Sequence, residues 1–210
     1  FGIDIWMTTT AINEGFKLCQ AQLGAKIHDA KDPAASLGPM FRQVVGTLFG
    51  MMKLYESNWK RVQVAGQAPL IGEPIYIQPE PIPVTVPAMI GRFKMAFGTE
   101  AGFWAGFIDQ ENMKELERVA ALAETKYTFP VDLWVKCVYD FAIAFNRGEF
   151  EPSRIVDSLT GLYYGRTASF CLETEGMSTA QAETQVIDRV MRRFQELKPY
   201  RLSRWESNTE

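Results

Sequence analysis

The strongest constraint on the fold is the helical periodicity of the C-terminal half. Apolar residues recur every three or four positions from Pro130 to Leu197, in three consecutive segments with start and stop signals. The signals are first-turn prolines, terminal glycines and one Ser-x-x-Gln capping box: Pro130, Gly148, Pro152, Gly176, and Ser178 with Gln181. Shorter helices are predicted over residues 87–97 and 110–123. The C-terminal half is therefore expected to be all α-helical.

A proline-rich stretch precedes this half. Six prolines fall within residues 67–87, and each favours an extended conformation for the residue before it. We interpret the stretch as a linker or arm. The predicted domains are residues 1–66, this linker at 67–87, and a helical domain at 88–210.

The N-terminal part has a different pattern. It predicts a short helix at residues 4–14, a partly buried strand at 16–27 and a polar loop at 29–38. A long amphipathic helix is predicted over residues 39–59. The chain is therefore expected to be mainly α, with a short α/β portion before the helical domain.

Composition excludes several classes of protein. The 47% hydrophobic content argues against disorder, and a net charge of −3 argues against binding a nucleic-acid backbone. No apolar run approaches the ~20 residues that span a membrane. Three cysteines without a Cys-x-x-Cys spacing indicate neither a disulfide framework nor a zinc site, and favour a reducing, cytoplasmic location.

Few residues carry a chemical signal. His28 is the one histidine, and no hydrolase, zinc-protease, P-loop or dinucleotide motif is present. It stands where the predicted strand enters the predicted loop, a common place for ligand-binding residues. Asp4 stands at the start of a predicted helix, where a carboxylate interacts favourably with the helix dipole. Each residue also fits a purely structural role: a strand-end histidine and a helix N-terminal acid.

A resemblance to a known family adds to this interpretation. Phe1-Gly2-Ile3-Asp4-Ile5, followed by Leu23-Gly24-Ala25-Lys26-Ile27-His28, resembles two segments of GT-A glycosyltransferases. The likeness is to the retaining enzymes that make glucosylglycerate, mannosylglycerate and glucosyl-3-phosphoglycerate. In that family an aromatic-Gly-x-Asp/Glu element opens a helix beside the sugar site, and a later histidine binds a metal. The Met40-Phe41-Arg42-Gln43-Val44-Val45 stretch is similar to the helix after the family's mobile loop, and the helical tail to its C-terminal domain.

The resemblance implies specific roles. His28 would be a ligand of a divalent cation, Mn²⁺ or Mg²⁺, and Asp4 would orient hydroxyl groups and stabilise an oxocarbenium-like centre. Lys31 and Arg42 are weaker candidates for contacting phosphate or an acceptor carboxylate. The expected substrates are a nucleotide-diphosphate sugar and a small carboxylate acceptor. The loop at 29–38 is expected to be a lid that closes over the donor.

One departure from the family pattern is informative. These enzymes hold the nucleotide through an N-terminal half with an Asp-x-Asp motif, which this sequence lacks. We therefore expect the chain to be the C-terminal part of such an enzyme, inactive alone, with the N-terminal half as partner and a homo-oligomer as the assembly. The alternative is a non-catalytic helical oligomerisation or scaffold module.

Overall fold

The computed structural model describes residues 2–21, 23, 33–64, 66, 68–73 and 84–207, with the main chain alone for 33–37. The described chain is mainly helical. It divides into two compact units, residues 1–84 and 85–210. The boundary falls within the proline-rich stretch.

The first unit contains three helices and two very short strands among its described residues. In chain order they are α1 (Ile3–Asn13), β1 (Gln20–Ala21), α2 (Pro33–Leu54), α3 (Glu56–Arg61) and β2 (Leu70–Ile71). The two strands pair in parallel, with Gln20 opposite Leu70 and Ala21 opposite Ile71.

The second unit is a helical assembly. Its elements are α4 (Val86–Trp104), α5 (Gln110–Ala121), a 3₁₀ turn (Glu124–Lys126), α6 (Val131–Arg147), α7 (Pro152–Glu173), α8 (Thr179–Ala182), a π-helical turn (Glu183–Ile187), α9 (Asp188–Glu196) and α10 (Lys198–Glu206). α6 and α7 supply most of its buried side chains.

Local signals explain the ends of the central helices. Gly148 ends α6 in the left-handed conformation, with φ 74°, which glycine adopts at low cost. Pro152 occupies the first turn of α7, and the Glu151 carboxylate accepts hydrogen bonds from the main-chain N–H groups of Ser153 and Arg154. The capping box at Ser178 and Gln181 is also present. These predicted boundaries are confirmed.

α4 and α7 pack closely because α7 presents glycines to α4. A Cβ on Gly161 would lie 2.3 Å from the Cβ of Ala96. A Cβ on Gly165 would lie 2.8 Å from the Tyr127 hydroxyl and 2.9 Å from the Phe93 ring. The two helices therefore approach at positions where a side chain would not fit.

The predicted loop and long helix need correction. α2 begins at Pro33, so residues 33–38 are helical and not part of a loop, while residues 29–32 lie outside the described residues. Pro39 stands inside α2, where the missing N–H removes one hydrogen bond without ending the helix. The predicted continuous helix over 39–59 is interrupted at Tyr55, after which α3 begins.

The predicted strand and linker also differ from the structure. Within the predicted strand at 16–27, only Gln20 and Ala21 are assigned to a strand among the described residues, and both are exposed. Within the predicted linker, Leu70 and Ile71 form the partner strand. The pattern missed this pairing because a two-residue strand is too short to show alternation.

Candidate functional site

Asp4 lies in the first turn of α1, as the sequence predicts. Gly2 is the N-cap residue, with φ 89°, and its carbonyl accepts a hydrogen bond from the Trp6 N–H at 3.0 Å. A left-handed conformation at this position favours glycine. The Asp4 side chain is exposed, so its carboxylate is accessible at the positive end of the helix.

The N-terminal end of α1 rests directly on α2. A Cβ on Gly2 would lie 2.8 Å from Thr47 Oγ1 and 3.0 Å from the Gln43 carbonyl oxygen. Gly2 itself is buried. Residue 2 therefore requires glycine for two reasons: its φ is in the left-handed region, and the space beside α2 does not admit a Cβ atom.

The other end of α1 is held by side chains near the end of α2. The Tyr55 hydroxyl donates to the Glu14 carboxylate at 3.0 Å, and the Asn58 amide donates to Asn13 at 3.3 Å. Desolvation raises the pKa of Tyr55, and the hydrogen bond to Glu14 raises it further. α1 and α2 thus run side by side in the same direction, joined at both ends.

This arrangement brings two of the predicted site residues near the N-terminal end of α1, which rests on the middle of α2. Arg42 is exposed on α2 and directly precedes Gln43, which contacts Gly2. Asp4 follows Gly2 by two residues. The main chains of Asp4 and Arg42 therefore both lie near the contact between Gly2 and Gln43.

The other two predicted site residues, His28 and Lys31, lie outside the described residues. Among the residues the structure does describe, no group of three His, Cys, Asp or Glu side chains is placed to hold a metal ion. His28 is not among those residues. The expectation of a metal ligand at this position stays a prediction.

α1 exposes several large apolar side chains, and none of its residues is buried. Trp6 is 51% exposed and Met7 56% exposed. The β1–β2 pair is exposed as well, although parallel strands normally belong to sheets covered on both faces. The described part of the first unit therefore exposes apolar side chains on both a helix and a strand.

A buried polar cluster in the second unit was not foreseen from the sequence. Asp140 of α6 accepts hydrogen bonds from the Tyr200 hydroxyl at 2.9 Å and from the Asp109 N–H at 3.2 Å. Its carboxylate also pairs with Arg204 Nε at 2.7 Å. The Asn112 amide donates to the Tyr200 hydroxyl at 2.9 Å. Burial raises the pKa of Asp140, against the effect of Arg204.

This cluster ties α10 to α5 and α6 through hydrogen bonds and an ion pair among its own members. We assign it a structural role. One sequence signal exists, because Asp140 interrupts the apolar stripe of α6 between Cys137 and Ala144. Its partners stand some 30 to 60 positions away in sequence, so the pattern alone does not identify them.

A second charged cluster borders a cavity of about 410 Å³ between α6, α7 and α9. Glu173 accepts from buried Arg166 at 2.5 Å, from Ser169 at 2.8 Å and from Arg189 at 2.6 Å. Arg193 binds both oxygens of Asp132, at 2.7 and 2.6 Å. The charges that line the cavity are thus paired with one another.

Comparison with known proteins gives no family. No family model, no curated protein and no solved structure matches this chain. Among the described residues, no helix is both long enough and apolar enough to cross a membrane.

Proposed function

We propose that this chain is the C-terminal part of a metal-dependent retaining glycosyltransferase. The reaction would transfer a hexose from a nucleotide-diphosphate sugar to glycerate, phosphoglycerate or a similar small acceptor. The proposal rests on the resemblance of the Phe1–Ile5 and Leu23–His28 segments to that family.

One structural observation supports the proposal most directly. Gly2 opens α1 with a left-handed conformation, Asp4 follows in the first turn, and the helix end rests on α2 beside Arg42. An aromatic-Gly-x-Asp element that opens a helix is what the resemblance leads us to expect. An exposed carboxylate on α1 and an exposed guanidinium on α2 would suit an acceptor that carries both hydroxyl and carboxylate groups.

Each residue would have a separate task. Asp4 would accept hydrogen bonds from sugar or acceptor hydroxyls, and its negative charge would stabilise positive charge developing at the sugar carbon. Arg42 and Lys31 would bind anionic groups of the substrates. His28 would be one ligand of a divalent cation, which supplies neutralisation of the departing diphosphate.

The uncovered apolar surface supports a missing partner. α1 exposes Trp6 and Met7, and β1 and β2 pair in parallel over two residues. An α/β half that bears an Asp-x-Asp motif would cover the exposed side chains of α1 and add strands to the β1–β2 pair. The same exposed surface also favours the second candidate, a helical scaffold module, in which another protein would cover α1.

Reconstitution distinguishes the two candidates. The chain is joined to an upstream α/β half and tested with nucleotide-diphosphate glucose or mannose, glycerate or 3-phosphoglycerate, and Mn²⁺ or Mg²⁺. We expect metal-dependent transfer from the joined protein and none from the 210 residues alone. Absence of transfer from every combination, with α1 nonetheless covered by a bound protein, would support the scaffold function.

Substitutions test the assigned roles. We expect His28→Ala to weaken Mn²⁺ binding and lower kcat steeply, whereas Asp4→Asn lowers kcat with little change in Mn²⁺ affinity. Glu117→Gln, an exposed carboxylate on α5, is the matched control and should change neither. Unchanged Mn²⁺ affinity in His28→Ala would remove the metal-ligand assignment.

A further inference from the structure

We infer that Thr47 is a positioning residue for Asp4. The inference rests on the proposed function, because it concerns how the first unit holds the carboxylate that would act on the sugar. It starts from the contact between Gly2, Gln43 and Thr47, here named the Gly2 contact.

The Gly2 contact is made by oxygen atoms. The Thr47 hydroxyl donates to the Gln43 carbonyl at 2.7 Å, and both oxygens face the position that a Cβ of residue 2 would occupy. A Cα–H bond of glycine stands in that direction instead. Cα–H···O contacts of this kind recur where two helices approach closely, and each adds a small attraction.

The orientation of α1 depends on this contact. α1 buries no side chain completely, and Ile5, Thr9 and Asn13 are half-buried. Its first turn meets α2 at the Gly2 contact, and its last turn is held by hydrogen bonds from Tyr55 and Asn58. We therefore expect a change at Thr47 to shift the N-terminal end of α1 more than its C-terminal end.

Asp4 is the residue most affected by such a movement. It follows Gly2 by two residues and lies in the first turn of α1. Its side chain is exposed. Thr47 approaches Gly2, so its effect on the reaction would be transmitted through the position of α1.

The consequence for transfer follows from the strictness of catalytic geometry. A displacement of about 1 Å at a reacting group costs on the order of 10²-fold in rate. Removing the Thr47 hydroxyl replaces an oxygen in the Gly2 contact with a methyl group and removes the side-chain donor to the Gln43 carbonyl. We expect the misplacement to lower kcat for transfer while leaving KM nearly unchanged.

The test uses Thr47→Val, Thr47→Ser and the control Thr99→Val in the protein joined to its upstream half. Thr99 makes the same type of hydrogen bond, to the Met95 carbonyl at 3.2 Å, on an exposed surface of α4. We expect Thr47→Val to lower kcat about 10- to 100-fold, Thr47→Ser to restore it, and Thr99→Val to leave it unchanged. Wild-type kcat in Thr47→Val would overturn the inference.

A double-mutant cycle separates positioning from general destabilisation. If Thr47 acts through Asp4, Thr47→Val should lower kcat in the parent and add almost nothing to Asp4→Asn. Equal losses in both backgrounds would overturn the positioning role.

Hydrogen exchange keeps this inference distinguishable from the proposed function. Thr47→Val should increase amide exchange across residues 3–7 of the joined protein, without a matching increase across α4. If no donor supports transfer, the proposed function fails and the role of Thr47 in catalysis fails with it. Hydrogen exchange still tests whether Thr47 holds α1 in place, because unchanged amide exchange across residues 3–7 in Thr47→Val would show that it does not.

Discussion

α1 in the first unit and α6 in the second are both rich in apolar residues, yet they have opposite environments. α6 buries nine residues, including Val135, Cys137 and Phe141, whereas α1 buries none. Apolar composition alone therefore does not predict whether the side chains of a helix are buried. The second unit thus has its own hydrophobic core, whereas the exposed apolar side chains of α1 are available for contact with another element.

The largest expected effect comes from separating the two units. We expect residues 85–210 alone to unfold cooperatively, because their core residues come from helices within that unit. Residues 1–84 alone should not, because a two-residue parallel ladder and an uncovered helix provide little stability. Thermal unfolding followed by near-UV circular dichroism tests both fragments. A cooperative transition in 1–84 would contradict the comparison.

The next effect compares two carboxylates, one from each unit. Asp140→Ala leaves Arg204, Tyr200 and the Asp109 N–H without their shared acceptor, and should lower the free energy of unfolding by about 3 kcal/mol. Asp4→Ala removes an exposed carboxylate and should change it by less than about 0.5 kcal/mol. Urea unfolding measures both variants. Similar losses would mean that Asp4 has a structural role.

The helix boundaries were easier to predict from the sequence in the second unit than in the first. The start of α6, its end and the start of α7 follow from Pro130, Gly148 and Pro152 respectively, and each acts within one or two residues of itself. In contrast, α2 begins at Pro33 and continues through Pro39. Proline inside a helix is uncommon because it lacks the N–H donor, so the local sequence predicted a boundary at Pro39 that the structure does not have.

The candidate site shows the same division. The helical position of Asp4 was predictable, because Gly2 before it and the apolar residues after it are adjacent in sequence. The contact of Gly2 with Thr47 was not, because it joins residues 45 positions apart through a close main-chain approach. The Asp140 cluster was missed for the same reason. The predictions for His28 and Lys31 remain untested.

Two glycines sharpen the contrast between packed and open surfaces. Gly161→Ala would place a Cβ 2.3 Å from the Cβ of Ala96, and should destabilise the second unit by about 2 kcal/mol. Gly98 lies in α4 with nothing within 4 Å of its Cβ position. Gly98→Ala should therefore stabilise by about 1 kcal/mol, through higher helix propensity. Thermal melts of both variants give the sign directly. A destabilising Gly98→Ala would indicate that this surface of α4 is covered in solution.

An acid titration tests the second charged cluster. Desolvation opposes ionisation of Glu173, but hydrogen bonds from Arg166 and Ser169 outweigh it and hold its pKa below the usual 4.5. A lowered pKa in the folded state adds stability that is present above pH 4.5 and is lost as the pH falls through the folded pKa. We expect Glu173→Gln to be about 1 kcal/mol less stable at pH 7. The difference from the parent should shrink as the pH falls below 4.5. A difference that is constant down to pH 2 would assign the effect to packing.

The smallest expected effect concerns a buried hydroxyl without a partner. Tyr127 is 6% exposed, desolvation raises its pKa, and its hydroxyl finds no hydrogen-bond partner among the described residues. Removing an unpaired buried donor relieves a desolvation cost and loses only a little packing. We therefore expect Tyr127→Phe to change the free energy of unfolding by less than about 0.5 kcal/mol.

Tyr139→Phe is the matched control for this substitution. The Tyr139 hydroxyl is similarly enclosed but donates to the Phe194 carbonyl at 2.5 Å, so its loss should cost about 1 kcal/mol. Urea unfolding of the two variants side by side measures the difference between a paired and an unpaired hydroxyl in one core. If Tyr127→Phe costs as much as Tyr139→Phe, the Tyr127 hydroxyl has a partner in solution, and a bound water molecule would be the first candidate because a buried donor is rarely left unpaired.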